Sequence, residues 1–114
     1  MIAKAYDELV KSNETLIDKF KVYLDASNYD GKKDFKKWLG ELVTATKSLE
    51  SALSDTNSKL SVMRKALDEY VKQHKADIAK DSALTEAVSK IIRVMDAVQT
   101  NVESIQTHLN RNKA

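Results

Sequence analysis

The chain has 114 residues, and its nineteen basic and seventeen acidic side chains leave a net charge of +2. A hydrophobic content of 42% with 32% charged residues is typical of a folded chain with one modest core, so we predict a single domain over residues 1–114. The near balance of charge gives no electrostatic reason to expect nucleic acid or an anionic membrane as a partner. Because cysteine is absent, disulfides, thiolate nucleophiles and cysteine metal sites are excluded.

Proline is also absent and glycine occurs only twice, which indicates long helices and few loops. The beginning of the chain is amphipathic from residue 2 and lacks the apolar run of a signal peptide. No stretch approaches the ~18 consecutive apolar residues of a membrane span. We therefore expect a cytoplasmic protein, or one that is secreted without a cleaved signal peptide.

Apolar residues spaced alternately four and three apart predict a first helix over residues 2–27. Its seam consists of Ile2, Tyr6, Leu9, Leu16, Phe20 and Tyr23, interrupted by the polar Asn13. The helix should end at Asn28-Tyr29-Asp30-Gly31, where Gly31 supplies backbone freedom and Tyr29 and Phe35 pack across the turn.

A second seam predicts a long helix over residues 32–76. Its members are Phe35, Leu39, Leu42, Thr46, Leu49, Leu53, Thr56, Leu60, Met63, Leu67 and Tyr70. The polar members Thr46 and Thr56, like Asn13 in the first helix, either fix which helices meet and in what register, or lie where the seam is hydrated.

A third seam predicts a helix over residues 82–112. It consists of Leu84, Val88, Ile91, Met95, Val98, Val102, Ile105 and Leu109. Three consecutive seam positions before it are polar, His74, Asp77 and Asp81, so we place a turn at 77–82 with Asp81 as a helix N-cap. The third seam is nevertheless in phase with the second, and a single helix over residues 32–112 is the alternative.

These elements predict an all-α fold, an elongated antiparallel three-helix coiled-coil-like bundle with a long middle helix. In that arrangement the first helix would cover residues 33–57 of the middle helix and the third would cover 48–76. Three helices would then lie side by side only near residues 48–57, and the middle helix would have an uncovered flank toward each end.

No pattern for catalysis or cofactor binding is found. His74 and His108 lack the acidic residue three positions earlier that a carboxylate-bridged metal site in a helical bundle requires. There is no His-Glu-x-x-His sequence and no glycine-rich phosphate loop. We therefore predict a protein that is not an enzyme and that has no cofactor and no metal.

One basic cluster precedes and opens the second helix. It consists of Lys32, Lys33, Lys36 and Lys37. Cations at a helix N-terminus oppose the helix dipole at a cost of a few tenths of a kcal/mol each. The cluster is either a docking site for an acidic partner or a solvated face that Asp30, Asp34 and Glu41 partly neutralise. Because residues 28–41 carry a net charge of only +1, the interleaved aromatic residues do not suffice to predict nucleic-acid binding.

The turn Asn28-Tyr29-Asp30-Gly31 in a short, cysteine-free chain resembles that of the WXG-type small secreted helical-hairpin proteins, with Tyr in place of Trp. That family comprises substrates and partners of type VII secretion, so the resemblance implies a helical hairpin exported without a signal peptide. It covers residues 1–76. The literal match Trp38-Leu39-Gly40 is predicted inside the second helix, no tyrosine is followed four residues later by Asp or Glu, and the third helix has no counterpart in a hairpin.

We expect the chain to act through its wide apolar helix faces as a non-catalytic interaction protein, of the adaptor, chaperone or inhibitor type found in bacteria and phages. The partner would be a second copy or a helical protein. Candidate contact residues are Trp38, Leu42 and Ala45 toward one end, Leu60, Met63 and Leu67 toward the other, and the four lysines of the basic cluster. The alternatives are a WXG-like secreted protein and a coiled-coil component of a phage or secretion assembly.

Overall fold

A computed structural model describes residues 2–29, 31 and 34–113, and within them the chain forms four helices. These are α1 (Ile2–Ala26), α2 (Phe35–Gln73), α3 (Lys75–Lys80) and α4 (Ser82–Lys113). The described residues contain no strand, so the prediction of an all-α fold is confirmed. The molecule is elongated, with extents of 63 × 22 × 19 Å.

Helices α1 and α2 run antiparallel, as the contacts along their interface show. Near one end the carboxylate of Glu8 lies 3.7 Å from the Lys59 ammonium. Farther along α1, the Ser12 hydroxyl donates a hydrogen bond of 2.6 Å to the carboxylate of Asp55. At the end of α1, the Trp38 indole N–H donates a hydrogen bond of 2.7 Å to the Ala26 carbonyl. Residue numbers thus rise along α1 while those of its α2 neighbours fall.

Helix α4 returns along both earlier helices. The Arg64 guanidinium donates a hydrogen bond of 2.7 Å to the Gln99 side-chain carbonyl, although 35 positions separate the two residues. A straight helix would hold them about 50 Å apart. The alternative of one helix over residues 32–112 is therefore wrong.

The predicted helix boundaries need correction. The predicted start at residue 32 lies outside the described residues, and α2 begins at Phe35, where the Asp34 carboxylate accepts the backbone N–H of Lys36 at 3.2 Å. Helix α2 ends at Gln73 rather than at residue 76. The predicted turn at 77–82 is mostly helix α3, because Lys75–Lys80 has ordinary helix-forming residues, and the breaks in the backbone are limited to His74 and Asp81.

The predicted registers of the first and third helices are also wrong. Glu8 of α1 lies beside Lys59, outside the predicted coverage of residues 33–57. The Asn101 amide donates a hydrogen bond of 3.0 Å to the Asn13 side-chain carbonyl. Closer to the α1–α2 turn, the His108 ring packs edge-on against the rings of Phe20 and Tyr23, with centroids 5.6 and 5.8 Å away. Helix α4 therefore lies beside α1 almost to the turn, and the middle helix is covered there more completely than the prediction of overlap at 48–57 allowed.

Among the described residues, fifteen buried apolar side chains from α1, α2 and α4 form one core, which follows the seams. They are Ala5, Leu9, Leu16, Tyr23, Ala45, Leu49, Leu53, Leu60, Met63, Leu67, Met95, Val98, Val102, Ile105 and Leu109. Two polar side chains, Ser12 and Thr56, are buried with them and hydrogen bond to each other.

Candidate protein-interaction surface

Four of the six apolar candidate contact residues of α2 belong to the core of the chain itself. Leu60 and Met63 are fully buried, and Leu67 and Ala45 nearly so. They are covered by α1 and α4, because α1 extends past its predicted limit at residue 57 of α2, as the Glu8–Lys59 contact shows. A partner that binds the folded chain as it stands would meet their exposed neighbours instead.

Trp38 and Leu42 are half-buried, and Trp38 closes the corner between α1 and α2. Its indole N–H satisfies the Ala26 carbonyl, one of the terminal carbonyls that a helix leaves without a partner in its own helix. Its ring lies 4.7 Å from that of Tyr29 and 5.6 Å from that of Phe35, measured between centroids. Trp38 is therefore a rigid support for this end of the molecule.

Tyr29, Phe35 and Trp38 form an aromatic cluster across the turn. The rings of Tyr29 and Phe35 meet edge to face at 5.9 Å, as the sequence predicted. Gly31, between them in the chain, has φ of +78°, the left-handed backbone that glycine adopts without steric cost. The opening of α2 is thus held by ring contacts and one special backbone position.

Three exposed apolar side chains follow from the aromatic cluster along α2, and we call them the apolar stripe. Phe35 is 57% exposed, Leu39 42% and Val43 46%. Their spacing of four places them on one side of the helix. Because Tyr29 contacts Phe35 and is itself 40% exposed, the stripe and the aromatic cluster are continuous.

The sequence predicted Phe35 and Leu39 as the first two members of the buried seam, and this prediction is wrong. At this end of α2 the core side runs through Trp38, Leu42 and Ala45 instead. From Leu49 to Leu67 the buried positions follow the predicted seam, and the offset is confined to the first turns of α2. The apolar stripe consists of the two seam residues that are exposed there, Phe35 and Leu39, and of Val43 beside them.

Exposed apolar residues concentrate at this end of the molecule. Among the described residues nine large hydrophobic side chains are exposed, and six of them lie between residues 22 and 43. They are Val22, Leu24, Tyr29, Phe35, Leu39 and Val43. In contrast, Val62 and Ile92 are single exposed side chains elsewhere, which is normal for a folded protein.

Of the basic cluster, Lys36 and Lys37 are exposed in the first turn of α2, whereas Lys32 and Lys33 lie outside the described residues. Lys36 is a neighbour of the apolar stripe, since it lies three positions before Leu39. Lys37 faces away from the stripe and lines an open groove between α1 and α2. The described lysines therefore divide between two sides of α2.

Both histidines contact other side chains of the chain. His74 lies between α2 and α3 with its Nδ1 atom 3.7 Å from the Asp77 carboxylate, and His108 packs on the rings of Phe20 and Tyr23. Within the described residues no three His, Cys, Asp or Glu side chains are grouped closely enough to hold a metal ion. Nor does any helix in that part of the chain have the length and apolar content to cross a membrane.

Comparison of the chain with protein-family models, with curated proteins and with solved structures found no match.

Proposed function

We propose that this chain is a non-catalytic helical interaction protein, of the adaptor, chaperone or inhibitor type, that binds its partner through the turn end of an elongated antiparallel three-helix bundle. The observation that supports this proposal is the apolar stripe of Phe35, Leu39 and Val43, which continues into the aromatic cluster. A contiguous apolar surface on a folded protein usually marks an interaction site.

The stripe lies outside the core of the fold. The core already has fifteen buried side chains, and the three stripe residues remain about half exposed beside it. Covering a large apolar side chain stabilises a complex by about 1.5–3 kcal/mol from area alone when burial is complete. Half of that for each of three residues contributes about 2–4.5 kcal/mol, which favours association but offsets only part of the entropy lost when two molecules join.

The surface is also preformed. Trp38 is fixed by its hydrogen bond to the Ala26 carbonyl, and Phe35 contacts both Tyr29 and Trp38. A partner therefore meets side chains that are already ordered, and the entropy lost on binding is small. Two kinds of partner fit such a surface, a second copy of the chain and a helical hetero-partner.

Two valines of α2 provide a matched test. Val43 lies in the apolar stripe, and Val62 lies 19 positions away on the same helix. Their exposures are nearly the same, 46% for Val43 and 50% for Val62. Both exchanges place the same charge on an exposed helix position, and only Val43 lies in the stripe. We therefore expect Val43→Glu to abolish association and Val62→Glu to leave it unchanged.

The measurement is sedimentation equilibrium of the purified protein at micromolar concentration, alone and with each product of the genes adjacent to its own. Circular dichroism of both variants provides the control for folding. A wild-type chain that stays monomeric and binds none of these products would contradict the proposal, as would equal loss of association in the two variants.

A further inference from the structure

We infer that the apolar stripe receives an amphipathic helix of another protein whose apolar face is bordered by acidic residues. This inference rests on the proposed function and specifies the chemistry of the partner. It follows from the charges around the stripe, from the sign of charge on this part of the chain, and from the shape of the surface.

The charged neighbours of the stripe on α2 are lysines. Residues three or four positions apart on a helix are adjacent on its surface. Of the α2 residues that stand in this relation to Phe35, Leu39 or Val43, the charged ones are Lys36 and Lys47. Both are exposed, so an apolar face that docks on the stripe comes within reach of two ammonium groups.

Lys36 is placed where it disfavours the helix. It is the second residue of α2, and a cation in the first turn opposes the helix dipole. A carboxylate on the partner, paired with the Lys36 ammonium at the edge of the apolar stripe, would compensate for this cost. Such a pair would be partly shielded from water by the apolar contact beside it, which strengthens the attraction.

The sign of the charge argues against a second copy as the occupant. Residues 19–47, which include the stripe, contain seven lysines and only four acidic residues, while the rest of the chain has twelve basic and thirteen acidic residues. A symmetric dimer would bring this segment against itself, because a twofold interface uses the same surface on both copies. Like charges would then meet, whereas an acidic helix would be attracted.

The dimensions of the stripe suit a helix. From Phe35 to Val43 it extends about 12 Å along α2, a little more than two helical turns. A helix with apolar residues at spacings of three and four presents its own face over the same length. The Trp38 indole N–H is already bonded inside the fold, so this aromatic residue does not offer the free amphipathic ring of a membrane anchor.

The test is a selection from a displayed library of helical peptides of about 20 residues against the intact chain. Each peptide has leucine on one face, and every other position is drawn from Glu, Lys, Gln and Ala. We expect the selected peptides to have Glu at the positions that border the leucine face. Their affinity should fall with rising salt concentration and should drop at least about tenfold for Lys36→Glu.

The matched control for that exchange is Lys65→Glu, at an exposed position toward the C-terminal end of α2. We expect it to change affinity by less than about twofold, as is usual for charges outside an interface. Because Glu in the first turn of a helix is favoured by the dipole, loss of binding in Lys36→Glu would not come from unfolding of α2.

Each other outcome overturns the inference in a different way. The selected peptides could carry Lys, or no particular charge, beside the leucine face and still lose binding to the Val43→Glu variant. That result would support the interaction surface and contradict an acidic partner. Peptides that bind Val43→Glu as well as the wild type would place the site elsewhere. An acidic helix would be excluded if no peptide is enriched. It would also be excluded if the chain binds only vesicles of mixed phosphatidylserine and phosphatidylcholine, and the Val43→Glu variant does not bind them.

Discussion

The two glycines of the chain differ in backbone conformation. Gly31 has φ of +78°, whereas Gly40 lies inside α2 on an exposed helical position. At both sites a Cβ atom would meet none of the described neighbouring atoms within 4 Å. The consequences of adding a side chain are therefore decided by the backbone alone.

We expect Gly31→Val to lower the free energy of unfolding by about 1 kcal/mol or more, because a β-branched residue does not tolerate positive φ. Gly40→Ala should raise it by about 0.5–1 kcal/mol, since glycine inside a helix is that much less favourable than alanine. Urea unfolding followed by circular dichroism measures both changes. Shifts of the same sign in the two variants would show that Gly31 does not hold the backbone described here.

The polar seam residues differ in what they do. The Thr56 hydroxyl, fully buried, donates a hydrogen bond of 3.0 Å to the Ser12 carbonyl, and Asn13 pairs with Asn101. Both join different helices at one register. Thr46 instead donates its hydroxyl to the Leu42 carbonyl of its own helix, at 2.7 Å. The sequence left register-fixing and hydration as alternatives, and the hydrogen bonds support register-fixing for Thr56 and Asn13.

At the scale of the helices, Asp81 determines where α4 begins. Its backbone is extended, with ψ of 108°, and its carboxylate accepts the backbone N–H groups of Ala83 at 3.0 Å and Leu84 at 3.3 Å. These N–H groups belong to the first turn of α4, which has no helical acceptors for them. The side chain thus completes a sharp change of direction between two helices without glycine or proline.

We expect Asp81→Ala to lower the free energy of unfolding by about 1 kcal/mol, the usual cost of losing a side-chain cap. Asp81→Asn should cost only a few tenths, because the amide oxygen accepts the same N–H groups. Guanidinium unfolding of the two variants beside the wild type measures the difference. Equal losses would mean that the charge of Asp81, rather than its capping hydrogen bonds, matters at this position.

The sequence predicted this capping position but not the short helix before it. The three seams contain every buried apolar side chain except Ala5 and Ala45, so periodicity identified the core. The polar positions His74, Asp77 and Asp81 correctly marked a change of direction. Residues 75–80 remain helical within it because local backbone bonds, such as that from the Ile78 N–H to the His74 carbonyl, do not depend on burial.

The candidate surface was harder to predict than the core. Phe35 and Leu39 fit the seam as well as Leu42 does, yet both are exposed. Their exposure depends on how α1 and α4 pack around α2, which periodicity within one helix does not report. Val43, outside the seam, has no sequence signal that separates it from other exposed valines such as Val62.

For the whole molecule, packing is unequal along its length. Helix α1 runs antiparallel to α2 and its Glu8 lies beside Lys59, so the six residues before Glu8 reach to about residue 65 of α2. The last residues of α2, together with α3 and the start of α4, extend beyond the beginning of α1. Residues 75–94 are all described, and none of them is buried, whereas five side chains from Met95 to Leu109 are. The far end is therefore helical with little core.

This difference predicts a gradient of local stability. Segments with few buried apolar contacts open at lower free energy than the global unfolding of the chain. We expect backbone amides of residues 75–94 to exchange with solvent deuterium well before those of 95–109 and 45–67, although both groups are helical. Hydrogen exchange followed by NMR measures each amide separately, and Asp81→Ala should accelerate exchange in α3 and the start of α4 while leaving residues 95–109 nearly unchanged. Equal protection along the whole of α4 would mean that the far end unfolds only together with the core, and that its helices are held by more than the contacts described here.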